Sequence, residues 1–236
     1  MSVFVILPAA GIGTRMASAT GGAPKQFIEL GGIPILLHSL RAFLAVPRVT
    51  GIYVAVREPE QPRVSALLDE HKLSHRVRVV PGGDTRQDSV ANALAALPSN
   101  DENDIVLVHD AVRPLIDAAT IERTIDAVIE HGAAIVGLPA VDTVKQVERT
   151  AHGALITSTI PREFVVLAQT PQGFRQGLLQ QAFAEATADG FVGTDEASVV
   201  ERAGFPVAVV PGSQVNLKIT QPGDLALAEF YLRQRS

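Results

Sequence analysis

The sequence predicts an α/β fold with a mostly parallel sheet, and two observations support that prediction. Short β-branched runs alternate with longer segments whose apolar residues recur at helical spacing. The runs are also nearly continuous in apolar residues, as expected for strands that helices cover on both faces. The predicted strands are Val3–Leu7, Gly51–Val56, Val77–Val80, Ile105–His109, Ala134–Leu138 and Val207–Val210.

Four segments between these runs have the pattern of amphipathic helices. They are Pro34–Ala45, Asp88–Leu97, Asp117–His131 and Asp224–Leu232. In the first, the proline suits a first helical turn. In the third, Asp117 is a typical N-cap residue ahead of an apolar stripe. The helices and strands together predict a twisted sheet flanked by helices.

Residues 141–167 interrupt this alternation. Polar and apolar residues alternate around His152 and Gly153 without a helical stripe, which is typical of an inserted β-hairpin. An antiparallel extension of the sheet edge would explain the pattern. An arm that leaves the body and meets a second subunit would explain it equally well. Because an isolated hairpin is marginally stable in water, a protruding arm requires a partner.

Composition excludes several classes of protein. The 236 residues carry 20 Lys and Arg against 25 Asp and Glu, a net charge of −5, whereas nucleic-acid-binding surfaces are normally basic. Cysteine is absent, which excludes disulfides, thiolate metal sites and cysteine nucleophiles. No apolar run approaches the roughly 20 residues that span a bilayer. We therefore expect a cytoplasmic protein, a single domain over residues 1–236, that binds neither nucleic acid nor membrane.

A turn of small residues follows the first predicted strand. It contains Ala9, Ala10, Gly11 and Gly13, which let backbone N–H groups approach a phosphate chain. The sequence matches neither the dinucleotide fingerprint nor the Walker A motif. Arg15 and Lys25 follow the turn, and either is explained alone as a surface charge. Beside a glycine turn at the carboxyl end of a strand, where open α/β sheets bind ligands, they favour a phosphate site.

A second glycine-rich segment, PGGDTRQDS, follows the strand predicted over Val77–Val80. Its two glycines permit close approach of the backbone to a ligand. A turn followed by a helix N-cap explains Asp88 well. A role in reading a base or a ribose is more attractive for Gly83, Asp84 and Ser89.

Three further motifs contain charged residues next to predicted strands or helices. Asp110 follows an apolar strand and is well placed to hold a hard cation. Arg113 would pair with that carboxylate or fix an anion. Residues 194–198 open a helix, where a capping box that begins at Thr194 explains the acidic first turn. Lys218 is predicted within a short apolar strand, where a lone lysine usually protects a sheet edge.

Taken together and in this order, the motifs resemble those of the 2-C-methyl-D-erythritol 4-phosphate cytidylyltransferases of the non-mevalonate isoprenoid pathway. The resemblance extends over nearly the whole chain. The matching segments are PAAGIGTRM, PKQF, GGDTRQDSV, HDAVRP, DTVK, QTPQ, TDEAS, NLKIT and DLALAEFYL. The ribitol-5-phosphate cytidylyltransferases are similar too, but they usually begin the first loop with AGG and tend to lack the DSV and TDEAS forms.

The resemblance implies a Rossmann-like nucleotidyltransferase fold and transfer of CMP from CTP to methylerythritol phosphate, with Mg²⁺ or another divalent cation as cofactor. It implies catalytic roles for Arg15, Lys25, Arg162 and Lys218. Nucleotide binding is implied for Ala9, Ala10, Gly11, Gly13, Lys25, Gly83, Asp84 and Ser89. Binding of the acceptor phosphate is implied for Asp110, Arg113, Thr143, Arg162 and Lys218, with Asp110 also next to the metal.

In that family, Thr143 and Arg162 lie on an arm that reaches the neighbouring subunit's site, so the resemblance implies a homodimer. The loop between Arg15 and Lys25 is longer than the family's compact form. Its extra pair of glycines predicts a flap that orders over the triphosphate. Two other functions stay open, namely another sugar-phosphate nucleotidylyltransferase and a non-catalytic nucleotide-binding module.

Overall fold

The computed structural model describes residues 1–11, 24–98, 101–151 and 153–234, and its centre is a seven-stranded sheet. The strands, in chain order, are β1 (Val3–Pro8), β2 (Glu29–Leu30), β3 (Ile33–Pro34), β4 (Val49–Val56), β5 (Val77–Pro81), β6 (Ile105–Val108), β7 (Ala133–Pro139), β8 (Val144–Thr150), β9 (Gly153–Ile160), β10 (Val166–Arg175) and β11 (Ala208–Pro211). The order across the sheet is β11-β7-β10-β6-β1-β4-β5. All neighbouring pairs are parallel except those of β10, which is antiparallel to β6 and β7.

Helices cover both faces of this sheet. The α-helices of the described residues are α1 (Ile35–Leu44), α2 (Gln61–Glu70), α3 (Arg86–Ala95), α4 (Ala118–His131), α5 (Gln176–Ala188), α6 (Glu196–Arg202) and α7 (Pro222–Gln234). Side chains of α1, α2 and α4 pack on one face, and those of α3, α5 and α6 pack on the other. Within the described ranges, no helix combines the length and the apolar character needed to cross a membrane.

Strand β1 shows why its sequence is apolar throughout. Its side chains alternate between the two faces, so Val5 and Leu7 join one core cluster while Phe4 and Ile6 join the other. All four are almost completely buried. A strand covered on both faces has no solvent side, which is why period-two polarity is missing there.

The predicted α/β fold is confirmed, with differences at several element ends. The strand predicted to end at His109 ends at Val108, so this histidine belongs to the loop. The helix predicted to begin at Asp88 begins at Arg86, because Thr85 is its N-cap. Asp117 is the N-cap of α4 as predicted, and its side chain accepts a hydrogen bond from the Thr120 backbone N–H.

Helices α2 and α5 and strand β10 were not predicted from the sequence, nor were the two-residue strands β2 and β3. Strand β10 carries Gln169, Thr170 and Gln172 in its centre, and all three are buried. Polar residues and a proline in an apolar strand remove the pattern on which a strand prediction depends. The fold accommodates these side chains because each forms hydrogen bonds to neighbouring segments.

A hairpin within the predicted residues 141–167 is confirmed, and it comprises β8 and β9, whereas Val166 and Leu167 already belong to β10 of the central sheet. Strands β8 and β9 pair with each other in a two-stranded sheet separate from the central one, so the alternative of a sheet-edge extension is wrong. Almost every residue of the hairpin is exposed. Leu155 and Ile156 on β9 are 65% and 66% exposed, which is unusual for two large aliphatic side chains in a row.

Strand β10 lies so close to α4 that only glycine fits at position 173. A Cβ there would lie 2.7 Å from Cγ2 of Val128 and 2.8 Å from Cδ2 of Leu107. We expect Gly173→Ala to lower the free energy of unfolding by about 1–3 kcal/mol, the usual cost of overpacking. The measurement is the urea midpoint. The control is Gly51→Ala in β4, where the nearest atom is 3.8 Å away, and its change should stay within about 1 kcal/mol. Equal effects of both variants would contradict this account.

Candidate active site

A cleft of about 320 Å³ opens at the carboxyl ends of β1, β5 and β6. In an open α/β sheet this is the edge at which ligands bind. The site residues predicted from the sequence that line it are Ala9, Ala10, Gly11, Lys25, Gly83, Asp84, Ser89, Asp110 and Lys218. Gly13 and Arg15, which complete the predicted phosphate loop, lie outside the described residues.

A short 3-10 helix over Lys25–Phe27 places the first cationic side chain at the cleft. It is tied to the loop after β1 by Gln26, whose buried amide donates a hydrogen bond of 2.8 Å to the carbonyl of Ala9. The Nζ atom of Lys25 donates to the carbonyl of Thr220 at 3.3 Å. The lysine is therefore held between the first loop and the segment that precedes α7.

The glycine loop after β5 is folded tightly against the start of α3. The Ser89 hydroxyl accepts a hydrogen bond of 3.0 Å from the N–H of Gly83 and donates one of 2.9 Å to the carbonyl of Thr85. A Cβ on Gly83 would overlap Asp88, and one on Gly82 would come within 2.7 Å of Ala10. Ser89 thus shapes the loop from a buried position.

Asp110 lies at the centre of a cluster of cations. Its Oδ2 atom is 3.0 Å from Nζ of Lys218 and 3.4 Å from Nε of Arg113, and its Oδ1 atom is 3.4 Å from Nη2 of Arg86. The carboxylate is only 10% exposed. Burial alone would raise its pKa, but the charges of Lys218, Arg86 and Arg113 hold the pKa of Asp110 well below its ordinary value. Asp110 therefore stays ionised.

Lys218 reaches Asp110 from an irregular segment, so the strand predicted around it is wrong. Residues 216–220 run alongside the loop after β6 without forming a ladder. The N–H of Ile219 donates to the carbonyl of Val112 at 2.9 Å, and Nη1 of Arg113 donates to the carbonyl of Asn216 at 2.8 Å. These two bonds fasten the two segments together and set the position of the lysine.

Arg86 and Glu196 form an ion pair whose carboxylate is buried and whose guanidinium is partly exposed, and neither residue was predicted to belong to the site. Arg86 contacts Glu196 through Nη1 and Asp110 through Nη2. Glu196 is 1% exposed, and burial raises the pKa of its carboxyl, against the opposing charge of Arg86. Both residues lie inside motifs noted above, GGDTRQDS and TDEAS. Cap chemistry was the explanation given there for the acidic residues of TDEAS, and Arg86 was given no role.

His109 helps to hold the loop that carries Asp110. Its Nε2 atom is 3.0 Å from the carbonyl of Arg113, so Nε2 carries the proton, and Nδ1 accepts from the Thr170 hydroxyl at 3.0 Å. The same hydroxyl then accepts from the backbone N–H of Asp110 at 3.1 Å. Burial lowers the pKa of His109 to about 4, so this neutral tautomer holds the loop after β6 at neutral pH.

A second cleft of about 240 Å³ adjoins the first and shares Arg86, Asp110 and Lys218 with it. The rest of its lining is polar and comprises Arg113, Gln169, Thr170, Gln172, Thr194 and Asp195, together with Ala168. The two clefts therefore meet along one charged boundary.

The start of α6 borders the second cleft, and its cap differs from the prediction. The N-cap is Asp195 rather than Thr194, and its carboxylate accepts a bond of 2.9 Å from the N–H of Ser198. The Gln172 amide of β10 holds both Asp195 and the N–H of Ala197, at 2.7 and 3.0 Å.

Thr143 and Arg162 lie on the arm and line neither cleft of this chain. Both are exposed, and Nη1 of Arg162 donates to the carbonyl of Val141 at 2.7 Å. The fold of one chain thus brings together the predicted residues of the first loop, the glycine loop, Asp110 and Lys218, and it leaves these two apart.

Oxygen donors for a divalent cation are few. Among the residues that the structure describes, no group of three His, Asp or Glu side chains is arranged to hold a metal ion. Asp84 and Asp110 are the described carboxylates that line the first cleft, and Asp110, which stays ionised among its cations, is the one that also borders the second cleft. Mg²⁺ commonly binds through one or two carboxylates, substrate phosphates and water, so this donor set fits a metal that arrives with a nucleotide.

Comparison with known proteins agrees with this geometry. The family model described as IspD, 2-C-methyl-D-erythritol 4-phosphate cytidylyltransferase, matches residues 3–234. Relatives with that enzyme name from Acidobacterium capsulatum and Solibacter usitatus are 68% and 52% identical; each comparison covers 100% of this chain and 99% or 98% of the relative. The crystal structure of the enzyme from Thermus thermophilus has a TM-score of 0.79 at 35% identity, over 99% of this chain and 100% of that one. The chain therefore belongs to the 2-C-methyl-D-erythritol 4-phosphate cytidylyltransferase family.

Proposed function

We propose that the protein transfers the cytidylyl group of CTP to 2-C-methyl-D-erythritol 4-phosphate and releases pyrophosphate. Membership of the family supports this reaction directly. The structural observation that carries it is the convergence of Arg86, Arg113 and Lys218 on Asp110, where two clefts meet. A reaction between a nucleotide and a second phosphorylated substrate needs two adjoining sites with cations between them.

The transfer exchanges one phosphoanhydride bond for another. A phosphate oxygen of the acceptor attacks the α-phosphorus of CTP, the new P–O bond forms, and the bond to the bridging oxygen of the β-phosphate breaks. Pyrophosphate leaves with that electron pair. No proton has to be removed from an ionised phosphate, so the protein's task is to position the reactants and to stabilise negative charge.

Lys25 and Arg15 are the residues that we assign to charge on the α-phosphate and on the departing pyrophosphate. The position of Lys25 beside the loop after β1 supports its assignment. The backbone of Ala9, Ala10, Gly11 and Gly13 would receive the triphosphate. Gly83 and Asp84 would contact the base and ribose, while Ser89 contributes by holding their loop in shape.

The acceptor phosphate is assigned to the second cleft, next to Arg113 and Lys218. Asp110 orients both cations and would contribute a carboxylate oxygen to the divalent cation. When bound, Mg²⁺ would neutralise charge on the triphosphate and polarise its phosphorus–oxygen bonds. The preference for Mg²⁺ and the cytoplasmic location stay predictions from the sequence.

The arm is proposed to complete the site of a second subunit in a homodimer. Thr143 and Arg162 are exposed and line neither cleft of their own chain, which is the arrangement expected if they serve the neighbouring one. The exposed Leu155 and Ile156 of β9 also need cover, which a partner surface would supply.

The identity of the acceptor substrate is the first point to test, because ribitol 5-phosphate is the nearest alternative acceptor. We expect pyrophosphate release from CTP and Mg²⁺ in the presence of methylerythritol phosphate and little release with ribitol 5-phosphate. UTP, ATP and GTP should be poor replacements for CTP. Faster release with ribitol phosphate, or equal use of all four nucleotides, would refute the proposed substrate pair.

Lys25→Ala should lower kcat by about two orders of magnitude or more, because a donor to developing phosphate charge is lost. The same loss is expected for Arg15→Ala. Steady-state kinetics with both substrates saturating measures it. Lys72→Asn is the matched control: it removes one lysine charge at a position whose φ of 56° asparagine tolerates. A Lys25→Ala enzyme with near-normal kcat would remove this residue from the mechanism.

Mixed dimers test the arm. Arg162→Ala and Lys25→Ala subunits, each inactive alone, should regain about a quarter of parental activity when mixed equally, because half of the dimers hold one intact composite site. Two affinity tags allow the mixed dimer to be isolated and assayed. No activity in verified mixed dimers would show that each site is built within one chain.

A further inference from the structure

The guanidinium of Arg86 lies between two carboxylates, those of Glu196 and Asp110. Its Nη1 atom contacts Glu196 and its Nη2 atom contacts Oδ1 of Asp110, the latter at a distance of 3.4 Å. That distance is long for a charge-assisted hydrogen bond, which is normally about 2.7–2.9 Å. The guanidinium therefore pairs closely with Glu196 and only loosely with Asp110.

Glu196 is itself fixed in place. It opens α6, and the segment before it is fastened by the Gln87 side chain, which donates to the carbonyl of Phe191 at 3.1 Å and accepts from the N–H of Gly193 at 2.8 Å. The Gln172 amide fastens the same segment from the side of β10. The glutamate is thus a rigid anchor for the arginine.

Burial prevents Arg86 from leaving this anchor. Glu196 is 1% exposed, and its Oε2 atom has no hydrogen-bond partner among the described residues. Departure of the guanidinium would leave a buried and unpaired carboxylate, which is strongly unfavourable. Asp110, in contrast, keeps two other cations, Lys218 and Arg113, both on Oδ2.

We propose that Glu196 is a positioning residue: it holds the guanidinium of Arg86 away from close pairing with Asp110 and so leaves Oδ1 of Asp110 available to the bound reactants. This role rests on the proposed function of the two clefts, which share both Arg86 and Asp110. Glu196 reaches the reaction only through Arg86. Without its charge, the arginine closes on Asp110 in the geometry that guanidinium–carboxylate pairs favour.

A double-mutant cycle isolates this effect. Glu196→Gln keeps the shape of the side chain and removes its charge; it should lower kcat by about tenfold or more while the KM for CTP changes by less than about twofold. In the Arg86→Gln background the same substitution should change kcat by less than about twofold, because the arginine through which it acts is gone. Loss of the same size in both backgrounds, or unchanged kcat in Glu196→Gln, overturns the proposal.

Asp189→Asn is the matched control. It breaks the exposed ion pair with Arg202, at the far end of α6, and should leave kcat unchanged. The Tm of every variant is measured, and the double variant should be more stable than Arg86→Gln alone, since it no longer buries an unpaired charge. Should Glu196→Gln fail to fold alone, the comparison of the double variant with Arg86→Gln decides, because the double variant no longer buries an unpaired charge. A kcat of the double variant that differs from that of Arg86→Gln by more than about twofold overturns the proposal.

A crystal structure of Glu196→Gln separates this inference from the proposed function. We expect the distance from the Arg86 guanidinium to Oδ1 of Asp110 to shorten to about 2.8 Å. A guanidinium that keeps its parental position overturns the inference, whatever the enzyme catalyses. Absence of pyrophosphate release by the parental protein would instead refute the proposed function and leave this structural test intact.

Discussion

The buried carboxylate of Asp110 is the constraint on which the site depends. The Asp110 carboxylate lies at the carboxyl end of β6 and is only 10% exposed, so its negative charge is stable only with cations around it. Three separate segments of the chain each supply one cation. Arg86 comes from the start of α3, Arg113 from the loop after β6, and Lys218 from the segment after β11. The cations that stabilise Asp110 are therefore gathered at the place where a phosphate substrate also requires positive charge.

The polar contacts behind Asp110 make the arrangement rigid. His109 and Thr170 hold the backbone of Asp110 through three successive hydrogen bonds. The carbonyl of Arg113 accepts from Nε2 of His109, so Nδ1 of His109 must accept from the Thr170 hydroxyl, and that hydroxyl accepts from the N–H of Asp110. Glu196 holds Arg86 from the other side. Preorganised charge of this kind is the main source of catalysis expected in phosphoryl-group transfer, where the protein has little covalent chemistry to perform. A net charge of −5 for the whole chain conceals this local excess of cations.

Individual site residues show which positions in the cleft could be predicted from the sequence and which could not. Gly83 and Asp84 were located because a glycine pair directly after a strand is typical of a turn that binds a ligand. Ser89 lines the cleft, yet its hydroxyl is engaged within the loop, so its predicted contact with the nucleotide stays a prediction. Glu196 was missed because an acidic residue in a first helical turn is already accounted for by the helix dipole. Lys218 was assigned to a strand because short apolar segments look alike whether or not they form a ladder.

The sequence by itself determined the α/β class, the inserted hairpin, the glycine loops and the family, because strand polarity, turn residues and motif order are local properties of the chain. Only the tertiary structure decided that β10 runs antiparallel, that Arg86 is shared between Glu196 and Asp110, and that Thr143 and Arg162 stay apart from the clefts of their own chain. The physical reason is that pairing of buried charges depends on which segments meet in space. Arg86 and Glu196 are 110 residues apart, and no local pattern records their contact.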